Sequence, residues 1–354
     1  MVSQYHTKAI LPHTKGQVKD FFIFLLNIKT KYAQNILGGI KMKKFLILTG
    51  IGLVVAELIS EVNAMFETIF SGGNKEALAK CADLSKEEKI VREDNINERK
   101  KRIKWKNKSR STECYVKGCN DTPLYCKVYV QKNESKKWVV VVHGYGGWGS
   151  TLDYATKTFY EKGYNVVVPD LRGHGKSGGD YIGMGSLDSR DIINIIHLII
   201  KGNSESEIYL YGVSMGGATV LMTASERLPA NVKAVISDCS FDNADNIIAY
   251  ELKNTFKLPR FPFVNLMDIA CIKKAKYDLR LASPVDRVEY IKIPVLFIHG
   301  DSDNFVPVKM VYRLYNKTKA KKALMIIKNA GHGVSALVDK DRYWKGVFSF
   351  IGNN

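Results

Sequence analysis

From Ser111 onward, short apolar runs rich in β-branched and aromatic residues recur between amphipathic stretches, and this alternation constrains the fold of the 354-residue chain more than any other feature. The runs are Trp138 to Val142, Asn165 to Val168, Ile208 to Val213, Ala234 to Ser237, Val295 to Ile298 and Ala323 to Ile327. None shows the strict apolar–polar alternation of a half-solvated strand, so each reads as a strand covered on both faces. Between them lie segments such as Leu187 to Ile200, with apolar residues at helical spacing. Strands alternating with helices predict an α/β fold, a mostly parallel central sheet with helices on both faces. Ahead of these runs, "ECYVKGCNDTPLYCKVYVQ" reads as two strands around an Asn120-Asp121 turn. No internal repeat is visible.

Ligands of such a sheet bind beyond the carboxyl ends of its strands. "IYLYGVSMGGATVL", residues 208 to 221, places one hydroxyl, Ser214, at such an end, between Gly212 and Gly216. Glycines on both sides permit a sharp strand-to-helix turn that lifts the hydroxyl clear of the backbone. The helix that follows aims its first amides at any negative charge developing there. This is the arrangement of a nucleophile, and a serine needs a base that is itself oriented by an acid. His332, in the glycine-flanked loop "NAGHGVS" after the last strand, is the candidate base. His197 sits mid-helix, and His143, His174 and His299 lie in glycine turns after strands. The acid is Asp301 or Asp303 in "LFIHGDSDNFVP", which gives the chain order Ser, Asp, His.

Four motifs in order, "VVHGYGG", "DLRGHGKSGG", "GVSMGG" and "HGDSDNFVP" followed by "AGH", give residues 110–354 a resemblance to the α/β-hydrolase fold family. Within it the chain is similar to bacterial serine hydrolases of the serine-aminopeptidase and monoacylglycerol-lipase-like branch, some of which carry an N-terminal membrane segment. The resemblance implies Ser214 as nucleophile, His332 as general base and Asp303 as the acid, since the family's G-x-x-D-x-x-V-P pattern falls on Gly300, Asp303 and Pro307. Asp301 then caps the turn, and Asp238, where some relatives place the acid, is the second choice. The backbone amides of Tyr145 and Met215 would form the oxyanion hole. His143 would brace its loop, and Arg172, Gly173, His174 and Gly175 would shape theirs. Residues 241–293 form a short flap in which Phe256, Phe261, Phe263 and Met267 either wall an acyl pocket or fill core. The implied function is hydrolysis of a small-molecule carboxylic ester, or second an amide, through an acyl-enzyme without metal or organic cofactor. The rivals are a non-catalytic binding protein of the same fold and an acyltransferase using the same triad.

The formal charge of +18 raises nucleic acid or anionic membrane as partners. Residues 1 to 110 hold 21 Lys and Arg against 11 Asp and Glu, so the excess is densest ahead of the hydrolase-like part. No zinc-finger spacing or RNA-binding signature accompanies it, and no nucleic-acid role is expected. Residues 1–44 form a basic extension, with Met42 an alternative start; 45–59, "FLILTGIGLVVAELI", are an apolar signal or anchor segment; 60–109 are a charged linker or helix. Lysines before the apolar segment and Glu57, Glu61 and Glu67 after it predict membrane association, with the catalytic domain outside the cytoplasm or secreted. Cys114, Cys119 and Cys126, spaced C-x4-C-x6-C, match no metal or redox motif and read as half-buried strand residues, a Cys114–Cys126 or Cys119–Cys126 disulfide being the alternative.

Overall fold

The valine run of "KWVVVV" and the apolar strands after it can be kept from water only by covering both sheet faces, and the computed structural model, which describes residues 39–72 and 96–352, does so. Its eight-stranded sheet comprises β1 (Ser111–Lys117), β2 (Pro123–Tyr129), β3 (Lys137–Val142), β4 (Asn165–Pro169), β5 (Glu207–Val213), β6 (Val232–Asp238), β7 (Val295–Gly300) and β8 (Lys322–Ile327). The spatial order is β1-β2-β4-β3-β5-β6-β7-β8. β1 and β2 form the antiparallel hairpin, turning at Asn120 with φ 56°, and β2 also pairs antiparallel with β4. All other neighbours are parallel. The chain therefore has the expected α/β-hydrolase architecture, a mostly parallel sheet with helices around it.

Described helices are α1 (Gly39–Phe70), α2 (Ile96–Lys108), α3 (Asp153–Glu161), α4 (Ser186–Gly202), α5 (Met215–Ala224), α6 (Ala244–Thr255), α7 (Arg260–Ala270), α8 (Lys309–Lys317), α9 (Ser335–Val338) and α10 (Lys340–Gly352). Alternate residues of the central strands face opposite ways. Val139, Val141, Tyr211 and Ile236 join Phe159 of α3 with Tyr343, Trp344 and Val347 of α10 in one buried cluster. Val140, Leu210 and Val235 are equally inaccessible on the other side, where α5 packs on β5 and β6 and α4 packs on α5.

The chain divides into two compact units, Met1–Glu61 and Val62–Asn354. In the first, Leu53, Val54 and Ile59 of α1 are exposed. Among the described residues no helix is long and apolar enough to cross a membrane. In the second, Val62, Phe66 and Phe70 at the carboxyl end of α1 are buried, Phe66 stacking on Phe70 with ring centroids 5.0 Å apart. Sequence reading placed these residues in a charged linker or helix over 60–109; they are helical, and their i, i+4 spacing presents an apolar stripe to the fold. Residues 1–38, 73–95 and 353–354, including "FFIFLLNI" and Cys81, lie outside the described residues. Cys114 faces Cys126 across the β1–β2 ladder, and Cys114, Cys119 and Cys126 are all free thiols.

Candidate active site

Ser214 follows β5 directly and precedes the first residue of α5, with φ 59° and ψ −121°. This is left-handed backbone that a residue with a Cβ adopts only under constraint. The flanking glycines supply the room. A Cβ on Gly212 would sit 2.1 Å from the Gly216 carbonyl oxygen, and one on Gly216 would sit 2.1 Å from that of Val142. The Ser214 amide donates to the Asp238 carbonyl at 2.8 Å, tying the turn to the end of β6.

The structure brings Ser214, His332 and Asp303 together. Ser214 Oγ lies 2.8 Å from His332 Nε2, and His332 Nδ1 lies 2.8 Å from Asp303 Oδ2. An ionised carboxylate only accepts, so Nδ1 carries the proton and the neutral ring turns an acceptor toward the hydroxyl. Asp303 is buried, and its other oxygen accepts from the Phe305 and Val306 amides at 3.0 and 2.7 Å. Burial opposes its charge, but His332 and His299 outweigh burial and hold the carboxyl well below the ordinary range. Burial likewise opposes charge on His332, yet the Asp303 carboxylate prevails and lifts the imidazole well above its ordinary 6.5.

The competing acids are engaged elsewhere. Asp301 Oδ1 accepts from Ser302 Oγ and the Asn329 amide, which is the turn-capping role. Asp238 accepts from Tyr343 Oη at 2.9 Å, and Tyr343 is itself bonded to Tyr211. Burial pushes the Asp238 carboxyl up to about 6, against the pull of the Tyr343 hydrogen bond and of His299 and His332.

His143 and His174 hold loops. His143 Nδ1 donates to the Gly144 carbonyl and Nε2 accepts from the Leu171 amide. His174 Nδ1 donates to the Arg172 carbonyl and Nε2 accepts from the Gly146 amide. Arg172 forms a buried two-pronged pair with Asp191, fixing the start of that turn. His197 is exposed on α4. The loop after β3 is thereby set against the elbow, where a Cβ on Gly144 would lie 3.1 Å from Ser214 Cβ. Tyr145 of this loop and Met215, the first residue of α5, flank Ser214 in one cleft.

That cleft is open to solvent and is lined almost wholly by apolar side chains, among them Ile69, Met184, Phe241, Ile248, Leu252 and Phe305. Of the four flap residues singled out in the sequence, only Phe256 lines it. Phe263 and Met267 are buried on the inner face of α7, and Phe261, extended ahead of Pro262 (φ −91°, ψ 133°), is 75% exposed. Three contributors escaped sequence reading. Ile69 enters from the end of α1, and Tyr145 Oη donates to its carbonyl at 2.6 Å. Glu251 of α6 is the one carboxylate of the lining, its pKa raised by burial although Thr255 Oγ1 donates to it. Cys239 is fully buried at φ 44°, with its sulfur, a His332 ring nitrogen and an Asp303 oxygen all within 4.8 Å of one another. Burial pushes the Cys239 thiol up to about 11, so it stands beside the His332 and Asp303 pair as a protonated thiol. No motif marks Ile69, Glu251 or Cys239.

The family model for serine aminopeptidase S33 matches residues 133–255, and that for serine hydrolase FSH1 matches residues 209–339. The uncharacterized protein YqkD of Bacillus subtilis is 31% identical over 64% of this chain and 74% of its own length. Monoglyceride lipase of Rattus norvegicus is 24% identical, over 59% of this chain and 79% of its own length. Among solved structures, the Pyrococcus furiosus esterase Pf2001 superposes with a TM-score of 0.58 at 22% identity, covering 71% of this chain and 92% of the esterase. Fold, family models and sequence relatives converge: the chain belongs to the α/β-hydrolase family of serine hydrolases.

Proposed function

We propose that the protein hydrolyses carboxylic esters with an apolar acyl group through an acyl-enzyme. The observation that carries this reading is the unbroken chain from Ser214 Oγ through His332 to Asp303, both links 2.8 Å, at the wall of an apolar cleft. Ser214 Oγ attacks the carbonyl carbon while its proton passes to His332 Nε2. Asp303 keeps the proton on Nδ1 and stabilises the imidazolium that forms. The Tyr145 and Met215 amides receive the negative charge on the carbonyl oxygen. Collapse expels the alcohol, which takes the proton from Nε2, and water repeats the sequence on the acyl-serine. An apolar cleft favours esters of fatty or other hydrophobic acids over peptides, whose flanking amides need polar partners.

Membrane attachment or export through residues 45–59 belongs to the same proposal, with the hydrolase unit outside the cytoplasm. It is supported by the lysines preceding the segment and by the exposed Leu53, Val54 and Ile59. The enzymatic reading is tested with p-nitrophenyl esters of increasing chain length. Turnover that rises from acetate into longer acyl chains and vanishes in Ser214→Ala is the expected result; a folded protein without esterase activity at any chain length refutes it.

A further inference from the structure

The end of α1 is fastened to three parts of the fold: the flap, the chain around Asp180 to Ile182, and the loop after β3. A helix leaves its last four carbonyls without intrahelical donors, and in α1 these belong to Glu67, Thr68, Ile69 and Phe70. The Glu67 carbonyl accepts from the Ser71 amide at 3.1 Å, and the Phe70 carbonyl accepts from the Ile182 amide at 2.8 Å. The Ile69 carbonyl accepts from Tyr145 Oη at 2.6 Å, a donor 76 positions away. Side chains add to this hold. Lys274 of the flap pairs with Glu67 at 2.8 Å and stands 5.3 Å from the centre of the Phe66 ring, which meets the Tyr181 ring at 5.3 Å. Past the helix, the Gly72 amide donates to the Asp180 carbonyl at 2.9 Å. A Cβ on Gly72 would lie 2.8 Å from the Gly173 carbonyl oxygen, so the chain passes tightly against the turn that carries His174.

A segment held this firmly offers the cleft a fixed side chain, and Ile69 is the one that lines it with Ser214. The rest of the lining lies between Tyr145 and Val306. A β-branched residue in a helix keeps essentially one rotamer, so Ile69 is a rigid boundary rather than an adaptable one. The other end of its hydrogen bond bears on the chemistry. Tyr145 is the residue whose backbone amide is assigned to the oxyanion, and the next amide, of Gly146, is anchored on His174 Nε2 at 3.2 Å. The Tyr145 phenol gives the same loop a second anchor, on α1.

We propose that the end of α1, although it lies ahead of the hydrolase sheet in the chain, serves the reaction directly. Ile69 is a specificity-determining residue that limits the acyl chain the cleft accepts. Tyr145 Oη is a positioning residue that, by gripping the Ile69 carbonyl, holds the Tyr145 amide where the oxyanion forms. The inference rests on the ester-hydrolase reading for its substrate, while the place of Ile69 as a wall of the cleft stands on the geometry alone.

The test compares the full-length parent with Ile69→Ala, Ile69→Trp and Tyr145→Phe on p-nitrophenyl esters from acetate to laurate. Thermal melts establish that each variant folds, and Ile69→Phe takes the place of a tryptophan variant that does not. Ile69→Trp should cut the laurate-to-butyrate ratio of kcat/KM at least about tenfold, the loss expected when about two acyl methylenes are shut out of an apolar cleft. Ile69→Ala should move that ratio the other way, by about threefold or more. Opposite shifts from a larger and a smaller side chain are what a wall gives; a loosened fold would move both the same way. Tyr145→Phe should lower kcat about tenfold on every ester, with KM and the chain-length profile unchanged. Calorimetric binding of 2-decanone, an unreactive ketone, needs no turnover and should weaken at least about tenfold in Ile69→Trp. A folded parent that shows this difference in binding but hydrolyses no ester overturns the hydrolase reading and leaves the Ile69 wall standing. Equal ketone affinity in parent and Ile69→Trp overturns the wall, and so does a chain-length profile that is unchanged, or shifted the same way, in both Ile69 variants. A Tyr145→Phe enzyme with the parent kcat, or with raised KM alone, overturns the positioning role.

Discussion

Replacing Asp303 by asparagine should disable the enzyme by choosing the wrong imidazole tautomer, and the structure says which way the new amide will point. The Phe305 and Val306 amides donate to one oxygen of Asp303 at 3.0 and 2.7 Å, so that position must remain an acceptor. In Asp303→Asn the side-chain carbonyl will occupy it, which turns the NH2 group toward His332 Nδ1. Nδ1 can then only accept, the ring proton moves to Nε2, and Nε2 faces Ser214 Oγ as a donor unable to take its proton. The same change removes the negative charge that favours the imidazolium. A loss of about 10⁴ in kcat follows, or about 5 kcal/mol of transition-state stabilisation. Steady-state hydrolysis of p-nitrophenyl butyrate measures it, with thermal unfolding to establish that the variant folds. Asp301→Asn, which alters a turn, and Asp238→Asn, which alters the Tyr343 contact, should each stay within about tenfold of the parent. A folded Asp303→Asn enzyme within tenfold of the parent, or a larger loss at Asp238, would refute the reasoning.

Other consequences follow from the same geometry. Because the Asp303 carboxylate lifts the His332 pKa above 6.5 and catalysis needs the neutral ring, kcat/KM should rise with pH through a midpoint above 6.5; a midpoint at or below 6.5 would contradict the assigned pairing. Gly216→Ala places a methyl 2.1 Å from the Val142 carbonyl oxygen and should lower stability by about 2 kcal/mol or more together with activity, as denaturant melts would register. Burial, aided by the charge of Asp245, pushes the Asp268 carboxyl up to about 7 from an ordinary 3.8, so the folded chain keeps a proton that the unfolded chain releases and stability falls as pH rises from about 4 to about 7. Asp268→Asn carries no charge to bury, so its melting temperature relative to the parent should be higher at pH 8.5 than at pH 5; equal differences at the two pH values would show that burial does not raise this carboxyl.

The sheet was legible in the sequence because each of its parallel strands is a short apolar run bounded by turn residues, and two-sided burial leaves little room for any other pattern. Ser214 was legible for a local reason, since the two close approaches at Gly212 and Gly216 can be met only by residues without a Cβ. Asp303 was separated from Asp301 by motif, and the structure gives the physical difference: one carboxylate faces an imidazole, the other closes a turn. The cleft walls were less accessible. Ile69 reaches the site from 76 positions ahead of Tyr145, and a lone apolar residue at the end of a helix carries no sign of what it will touch. In the flap, apolar content alone could not tell Phe263 and Met267, which pack inward, from Phe261, which points out; that division depends on the non-helical backbone of Phe261, ahead of which and after which the turns of α7 face differently.

Labelling with a fluorophosphonate tests the central claim most directly, because such a probe phosphonylates a serine only where a base activates it and an oxyanion site stabilises the product. Peptide mass spectrometry of the labelled parent protein should place a single adduct on Ser214, and labelling should be lost in Ser214→Ala, His332→Ala and Asp303→Asn variants that remain folded. An adduct on another serine, or labelling that persists in folded Ser214→Ala, would contradict the assignment of this site as the catalytic centre.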